Sequence, residues 1–406
     1  MKKGIKNQKR GISLIVLVIT IVVMIILASA IILSLRSSGI IGRANEAKTK
    51  SDAATKREAA AIKLAEYELG VQMGDIDGGA ISANDYVKAE LEKDGIDTSD
   101  MVVTAGGEIQ VGLSEVAVAL VEAGAKIGDT VTGYVLSTAT EAKTVSTDGS
   151  ENTCDPEDYV ETDPIPATGI ARDESITWKY FGIDENGEAL IVGSVTSTTP
   201  KITLGGKGGY LNGPSTLKTI CETMYSSEMG TARSITIEDV TRVLEYTGER
   251  GSYYDPDTYE YTPMAKAKTI NEIAAEIGYD MSNFSSSTPE SGKEIGEYVA
   301  DYYYINKTAD ASEYNTEMQN LIYPGSTTTN PTLTGTYWLS SPCVYANFYG
   351  SFAFFRVRCV YSTSVDAFNM FNSYGNSDYN SSAVRPVVSL SSNVQVAYDG
   401  TTITLS

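Results

Sequence analysis

The chain of 406 residues contains no histidine. That removes the usual general base at neutral pH and excludes Ser-His-Asp triads, Cys-His dyads and HExxH zinc sites. Its four cysteines, Cys154, Cys221, Cys343 and Cys359, are too few and too scattered for a disulfide scaffold or a CxxC site. Basic residues are outnumbered, 31 Lys and Arg against 52 Asp and Glu. The resulting net charge of -21 argues against nucleic acid and anionic headgroups as partners, since both require a basic surface. Phosphate and metal motifs are missing as well. TLGGKGGYLNGP (Thr203 to Pro214) lacks the Walker spacing and has no Ser or Thr after Lys207, so it reads as turn and loop. The glycine spacing of MGDIDGGA is wrong for an EF-hand. No cofactor, no metal and no catalytic residue is expected.

One segment is defined by what it omits. Residues 344–382, VYANFYGSFAFFRVRCVYSTSVDAFNMFNSYGNSDYNSS, contain no Lys, Glu, Gln, Trp, Leu or Ile. They hold six of the eight Phe, with five Tyr, five Asn and seven Ser. A hydrophobic core calls for Leu, Ile and Val. Aromatics interleaved with Ser, Asn and Gly instead have the composition of a paratope, in which rigid rings supply area and small polar groups supply adaptable hydrogen bonds. The omissions also have a codon logic. Random replacement of the adenines of an AAY codon never yields Lys, Glu, Gln, Trp or Met, and within the segment only Met370 falls outside the reachable set.

In this the segment resembles the variable region of proteins diversified by diversity-generating retroelements. The flanks YWLSSPCV (Tyr337 to Val344) and AVRPVVSL (Ala383 to Leu390) look like the framework edges of their C-type-lectin-like, formylglycine-generating-enzyme-like domains. So does LNGPSTLKTICETMY…ARSITIEDV, more than one hundred residues upstream. The resemblance implies a bacterial or phage-associated variable protein that binds a protein or glycan at an exposed face. Trp338 and Leu339 would be core, and Arg385, Pro386, Val387 and Val388 a closing strand. Val344, Val357, Val360, Val365 and Ala383 would point inward. Ligand contacts are expected from Tyr345, Asn347, Tyr349, Phe352, Phe354, Arg356, Tyr361, Ser362, Ser364, Asp366, Phe368, Asn369, Tyr374, Asp378, Tyr379, Asn380 and Ser382. Burial is the competing expectation for the aromatics, most of all for Phe355 and Phe371. An enzyme of the formylglycine-generating type, using Cys343 and Cys359, is the remote alternative.

The N-terminus reads as an anchor. Ile12 to Leu35 is a run of 24 uncharged residues, about 36 Å as a helix and enough for a bilayer core. Lys2, Lys3, Lys6, Lys9 and Arg10 precede it, which predicts a cytoplasmic N-terminus and a single-pass membrane protein with extracellular C-terminal domains. The pattern KRGISLIVLVITIVV resembles a type IV prepilin leader, implying cleavage between Gly11 and Ile12. Val16 stands where pilins carry Glu, so a pilin-like structural fibre subunit is the second functional reading.

The expected fold class is α+β. Residues 1–11 form a basic leader, 12–35 a transmembrane helix, 36–70 a stalk helix and 71–127 a small pilin-like α+β unit. Residues 128–406 form the lectin-like domain. In the small unit SANDYVKAELEKDG predicts a helix capped at Ser82 or Asn84 and stopped at Gly95. MVVTAGGEIQVGL predicts a hairpin and SEVAVALVEAG a second helix. Thr138 to Thr168 has linker composition. SITWKYFGIDENGEALIVGS predicts another hairpin. A helix, loop and helix follow, with Leu217, Ile220 and Met224 on one face and Thr236 capping the second. Residues 245–335 are expected to form long insert loops, with one short helix around Asn271 to Ile277.

Overall fold

The computed structural model describes residues 40–136, 138–139, 141–145, 167–196, 198–306, 316–324, 336–361 and 363–406. The chain divides into two compact units, residues 1–112 and 113–406.

In the first unit, helix α1 (Ile40–Met73) is followed by α2 (Ala83–Lys93) and an antiparallel pair, β1 (Met101–Val103) and β2 (Ile109–Val111). Ser82 caps α2 by accepting from the Asp85 amide at 3.1 Å. Ala60 of α1, Val87 and Leu91 of α2, and Met101 and Val103 of β1 close a small core. Lys56 pairs with Asp100, and Lys63 with Asp94, across its edges.

The second unit opens with α3 (Glu115–Ala123) and β3 (Thr130–Thr132). Strands β4 (Glu141–Val145) and β5 (Ala167–Ala171) pair antiparallel, so the two ends of the expected linker form a ribbon. β6 (Trp178–Ile183) and β7 (Ala189–Gly193) make the expected hairpin. Then come β8 (Lys201–Gly205), α4 (Gly206–Tyr225), β9 (Gly230–Ser234) and α5 (Ile237–Val243). The stretch read as loops contains β10 (Gly251–Tyr254), β11 (Tyr261–Met264), β12 (Lys268–Thr269), α6 (Ile270–Ile277), β13 (Val299–Ala300), β14 (Ile305–Asn306) and α7 (Thr316–Ile322). The chain ends with β15 (Tyr337–Asn347), β16 (Phe352–Tyr361), β17 (Ser364–Asn372), β18 (Tyr379–Ala383), β19 (Pro386–Leu390), β20 (Val396–Tyr398) and β21 (Thr402–Leu405).

Two sheets organise this unit. The seven-stranded sheet runs β20-β21-β3-β6-β7-β19-β9. The ten-stranded sheet has the backbone order β11-β10-β15-β16-β17-β14, with β13 and β12 joined through β15 and with β8 joined through β18. Between them lies α4, whose Leu217, Ile220 and Met224 share one core with Ile191 and Val388 of the first sheet and Trp338, Val357 and Met370 of the second.

Four expectations change. The fold is mixed α/β, with seven α-helices among the described residues distributed between strands, and parallel pairs (β10 with β15, β21 with β3) within largely antiparallel sheets. The expected leader, the Gly11–Ile12 junction and the run 12–35 lie outside the described residues. Among the described residues no helix is long and apolar enough to cross a membrane, so the transmembrane, single-pass expectation is not met there. The long helix that is described, α1, carries Lys, Arg, Asp or Glu along much of its length.

Third, the glycine-rich stretch after Thr203 is the start of α4 rather than a loop. Glycine serves close packing here: a Cβ on Gly213 would lie 2.9 Å from Leu204 Cδ1, and one on Gly209 3.2 Å from the Leu204 carbonyl carbon. Fourth, α3 falls in the second unit, where Val116, Ala117 and Leu120 enter the main core.

Candidate ligand-binding face

β15, β16 and β17 form a continuous antiparallel meander. β15 pairs with β16 from Tyr337 opposite Val360 to Asn347 opposite Phe352. β16 pairs with β17 from Tyr361 opposite Ser364 to Phe354 opposite Asn372, with an irregularity after Phe355. Val344, Val357, Val360, Val365 and Ala383 are all buried, as are Phe355 and Phe371. They are divided among three cores: Val357 in the main one, Val360, Val365 and Ala383 in a second, and Val344, Phe355 and Phe371 in a third.

The rings form two sets of contacts, joined where Tyr254 packs against the cluster of Tyr302 and Tyr345. Phe352 contacts Phe354 at 4.7 Å and Tyr374 at 5.1 Å between centroids. Phe354 and Tyr345 lie nearly parallel at 6.2 Å. Tyr345, expected outward, is buried at 8% exposure and contacts Tyr302, buried at 7%, at 5.4 Å; it also stacks on Tyr261 at 6.1 Å, so the two rings support the face from beneath. Tyr349 meets Tyr259 at 4.9 Å and Tyr254 at 6.1 Å. Tyr259, Tyr349 and Tyr374 are each close to 60% exposed, at 60%, 59% and 58%. Arg356 projects among the rings with its guanidinium carbon 4.7 Å from Tyr302, 5.0 Å from Tyr345 and 4.9 Å from Phe354. Asn347 closes the β15–β16 turn by accepting from the Gly350 amide at 2.7 Å. Tyr374 adds a hydroxyl donated to the Gly350 carbonyl at 2.6 Å.

Four of these tyrosines come from outside the variable-looking segment. Tyr254 and Tyr261 face each other across the β10–β11 pair. That pair is spliced to the meander by parallel pairing of Tyr254 with Asn347. Tyr302 donates to Asp366 Oδ1 at 2.8 Å, which brings Asp366 to the same face. The tyrosine-dense strings SYYDPDTYEY and DYYY were the available sequence signal.

The remaining expected contacts are placed differently. Tyr361 is exposed at the end of β16, with its ring against Phe368, and Phe368 in turn sits edge-on to the buried Trp338 at 5.6 Å. Asn369 and Asn380 are half-buried and joined by a bond from Asn380 Nδ2 to the Asn369 carbonyl at 3.1 Å. Asp378 is exposed, and its amide donates to the Met370 carbonyl. Ser364 and Ser382 are buried, at 5% and 1% exposure, and present no side-chain surface. The backbone of Tyr379 pairs with Gly205 in the β18–β8 ladder. Its side chain, and all of Ser362, lie outside the described residues.

Burial pushes the Tyr345 phenol up to about 12 against the opposing pull of Arg356. It raises the Tyr302 phenol further, aided by Asp366. Both therefore remain protonated at neutral pH, and the Tyr302 hydroxyl is already given to Asp366. Cys343 and Cys359 are fully buried and unpaired, and burial pushes the Cys343 thiol up to about 12 and Cys359 well above its usual value. Such thiols are poor nucleophiles and poor metal ligands. Among the described residues no cluster of Cys, Asp and Glu is arranged to hold a metal ion.

Close backbone approach holds the β10 splice. A Cβ on Gly251 would fall 2.4 Å from the Ala300 carbonyl oxygen and 3.0 Å from Met264 Cε. Gly251→Ala is expected to cost about 1–3 kcal/mol through that overlap. It should also move Tyr254 away from Tyr349. Chemical denaturation measures the first effect, and loss of ligand binding out of proportion to the stability change measures the second.

Comparison of the chain with models of protein families, with curated proteins and with solved structures finds no match in any of the three.

Proposed function

We propose that this protein binds a macromolecular ligand on the aromatic face, and that the face is diversified at its outward positions. The observation that carries the reading is the aromatic face: Phe352, Phe354, Tyr374, Tyr345 and Arg356 meet Tyr261 and Tyr302 in one set of ring contacts, Tyr349 meets Tyr254 and Tyr259 in a second, and Tyr254 packs against the Tyr302–Tyr345 cluster of the first. Exposed aromatics in a contiguous patch mark interaction surfaces, and Tyr and Arg are enriched among their energetic anchors. The separation of roles along the segment supports diversification. Its inward valines and alanines are buried, while Tyr349, Tyr361 and Tyr374 are free to change.

The test has a genetic arm and a physical arm. The locus should carry a reverse transcriptase gene and a near-copy of codons 344–382 that differs only at adenines. A locus with neither removes the case for diversification. For the physical arm, Tyr349→Ala and Tyr374→Ala are each expected to shift stability by under about 1 kcal/mol. Each should weaken a selected ligand by about 2 kcal/mol. Unfolding of both variants would mean that the rings are structural, and the reading would fall.

A further inference from the structure

We propose that the partner at this face is a protein that docks an Asp or Glu carboxylate on Arg356; the inference rests on the reading of the face as a ligand surface. Three arginines of the region invite comparison. Arg358 is 1% exposed and donates to the carbonyls of Asp301 and Tyr303. Arg385 is 2% exposed and donates to the Gly193 carbonyl at 2.9 Å and the Tyr337 hydroxyl at 3.0 Å. Each donates twice within the protein. Arg356 is held by rings alone: its Nε is buried and has no hydrogen-bond partner. Asp366, the acid brought to the face, accepts through Oδ1 from the Tyr302 hydroxyl and from its neighbour's amide, Ala367 N, at 2.7 Å, and forms no ion pair with Arg356 among the described residues.

This arrangement selects its partner by the cost of covering it. A guanidinium buried without an acceptor loses hydration that nothing replaces, and a partner that covers it must supply the acceptor. A carboxylate fits the planar fork with two parallel bonds and neutralises the charge. Stacking on Tyr302, Tyr345 and Phe354 fixes the side chain beforehand, so little rotamer entropy remains to be lost on binding. Among the described residues Arg356 is also the single cation on the rings of the face, in a chain of net charge -21. Tyrosine edges and hydroxyls around a central arginine make the composition of a protein-binding paratope, which favours a protein as the carrier of the carboxylate.

The experiment selects binders from a displayed random-peptide library on the full chain, then measures the best peptide against variants. Enrichment of Asp or Glu in the selected pool is expected. Arg356→Gln, and amidation of the peptide's acid, should each weaken binding about tenfold or more. The two changes together should cost little more than either alone, because they remove one shared interaction. Arg356→Lys keeps the charge without the fork and should recover only part of the affinity. A pool without acidic enrichment, or additive losses from the two changes, would overturn the inference. So would unchanged binding in Arg356→Gln while Tyr349→Ala and Tyr374→Ala still weaken it. If those tyrosine variants also bind normally, the reading of the face itself has failed.

Discussion

Replacing Trp338 with alanine is expected to lower the unfolding free energy by about 4 kcal/mol. The indole is fully buried among residues of both sheets and of α4, so truncation opens a large cavity that α4 and β15 are too constrained to fill. It also removes the donor that meets the Ile202 carbonyl at 2.8 Å, and an unpaired buried carbonyl adds its own desolvation cost. The effect should extend outward along one ring contact to Phe368, and from Phe368 to Tyr361 at 5.8 Å. Urea denaturation followed by fluorescence measures the loss. A fall of less than about 1.5 kcal/mol would show that the core relaxes around the gap and that Trp338 is not its centre.

Arg385→Met is the second large effect, expected near 3 kcal/mol. Methionine approximates the volume of the arginine stem, so the loss isolates the polar contacts rather than the packing. The guanidinium joins the two sheets: Nε donates to Gly193 of β7, Nη1 reaches the hydroxyl of Tyr337 in β15, and the charge stacks 4.8 Å from the Tyr337 ring. That hydroxyl in turn donates to the Ile322 carbonyl at 2.7 Å. Removing the arginine therefore strands the Gly193 oxygen and loosens a chain of three buried groups. Thermal unfolding of Arg385→Met beside Arg385→Lys would separate charge from fork geometry. A methionine variant as stable as the parent would mean that water replaces the guanidinium at no cost.

The parts of this fold that are legible in the sequence are those with local causes. The hairpin of β6 and β7 announces itself by two apolar runs around Asp184 to Gly187. Thr236 and Asp239 form the capping box that starts α5, and the box is visible as a spacing of three. Leu217, Ile220 and Met224 repeat at helical intervals and are buried together. The start of α4 is not legible, because glycine ordinarily punctuates a chain and here serves contact with Leu204. Nor is the fixed half of the face. Tyr254 and Asn347 are neighbours only because β10 pairs in parallel with a strand some ninety residues away, and nothing local encodes that choice. Codon logic places Ser364 and Ser382 outward, and it is blind to the burial that the β16–β17 turn and the β18–β8 ladder impose.

The β10–β11 pair meets the meander through only two residue pairs, Tyr253 with Ala346 and Tyr254 with Asn347. Its tyrosines are nevertheless encoded outside the segment whose codons would vary. Every clone in a diversified population would thus inherit Tyr254, Tyr259 and Tyr261 unchanged beside whatever replaces Tyr345 or Tyr349. The repertoire would not sample blank surfaces. It would begin each time from a constant aromatic border with its own baseline stickiness. New specificities would arise by adding contacts to an existing weak grip, and even clones with small residues at the variable positions would keep some cross-reactivity for ligands that suit tyrosine.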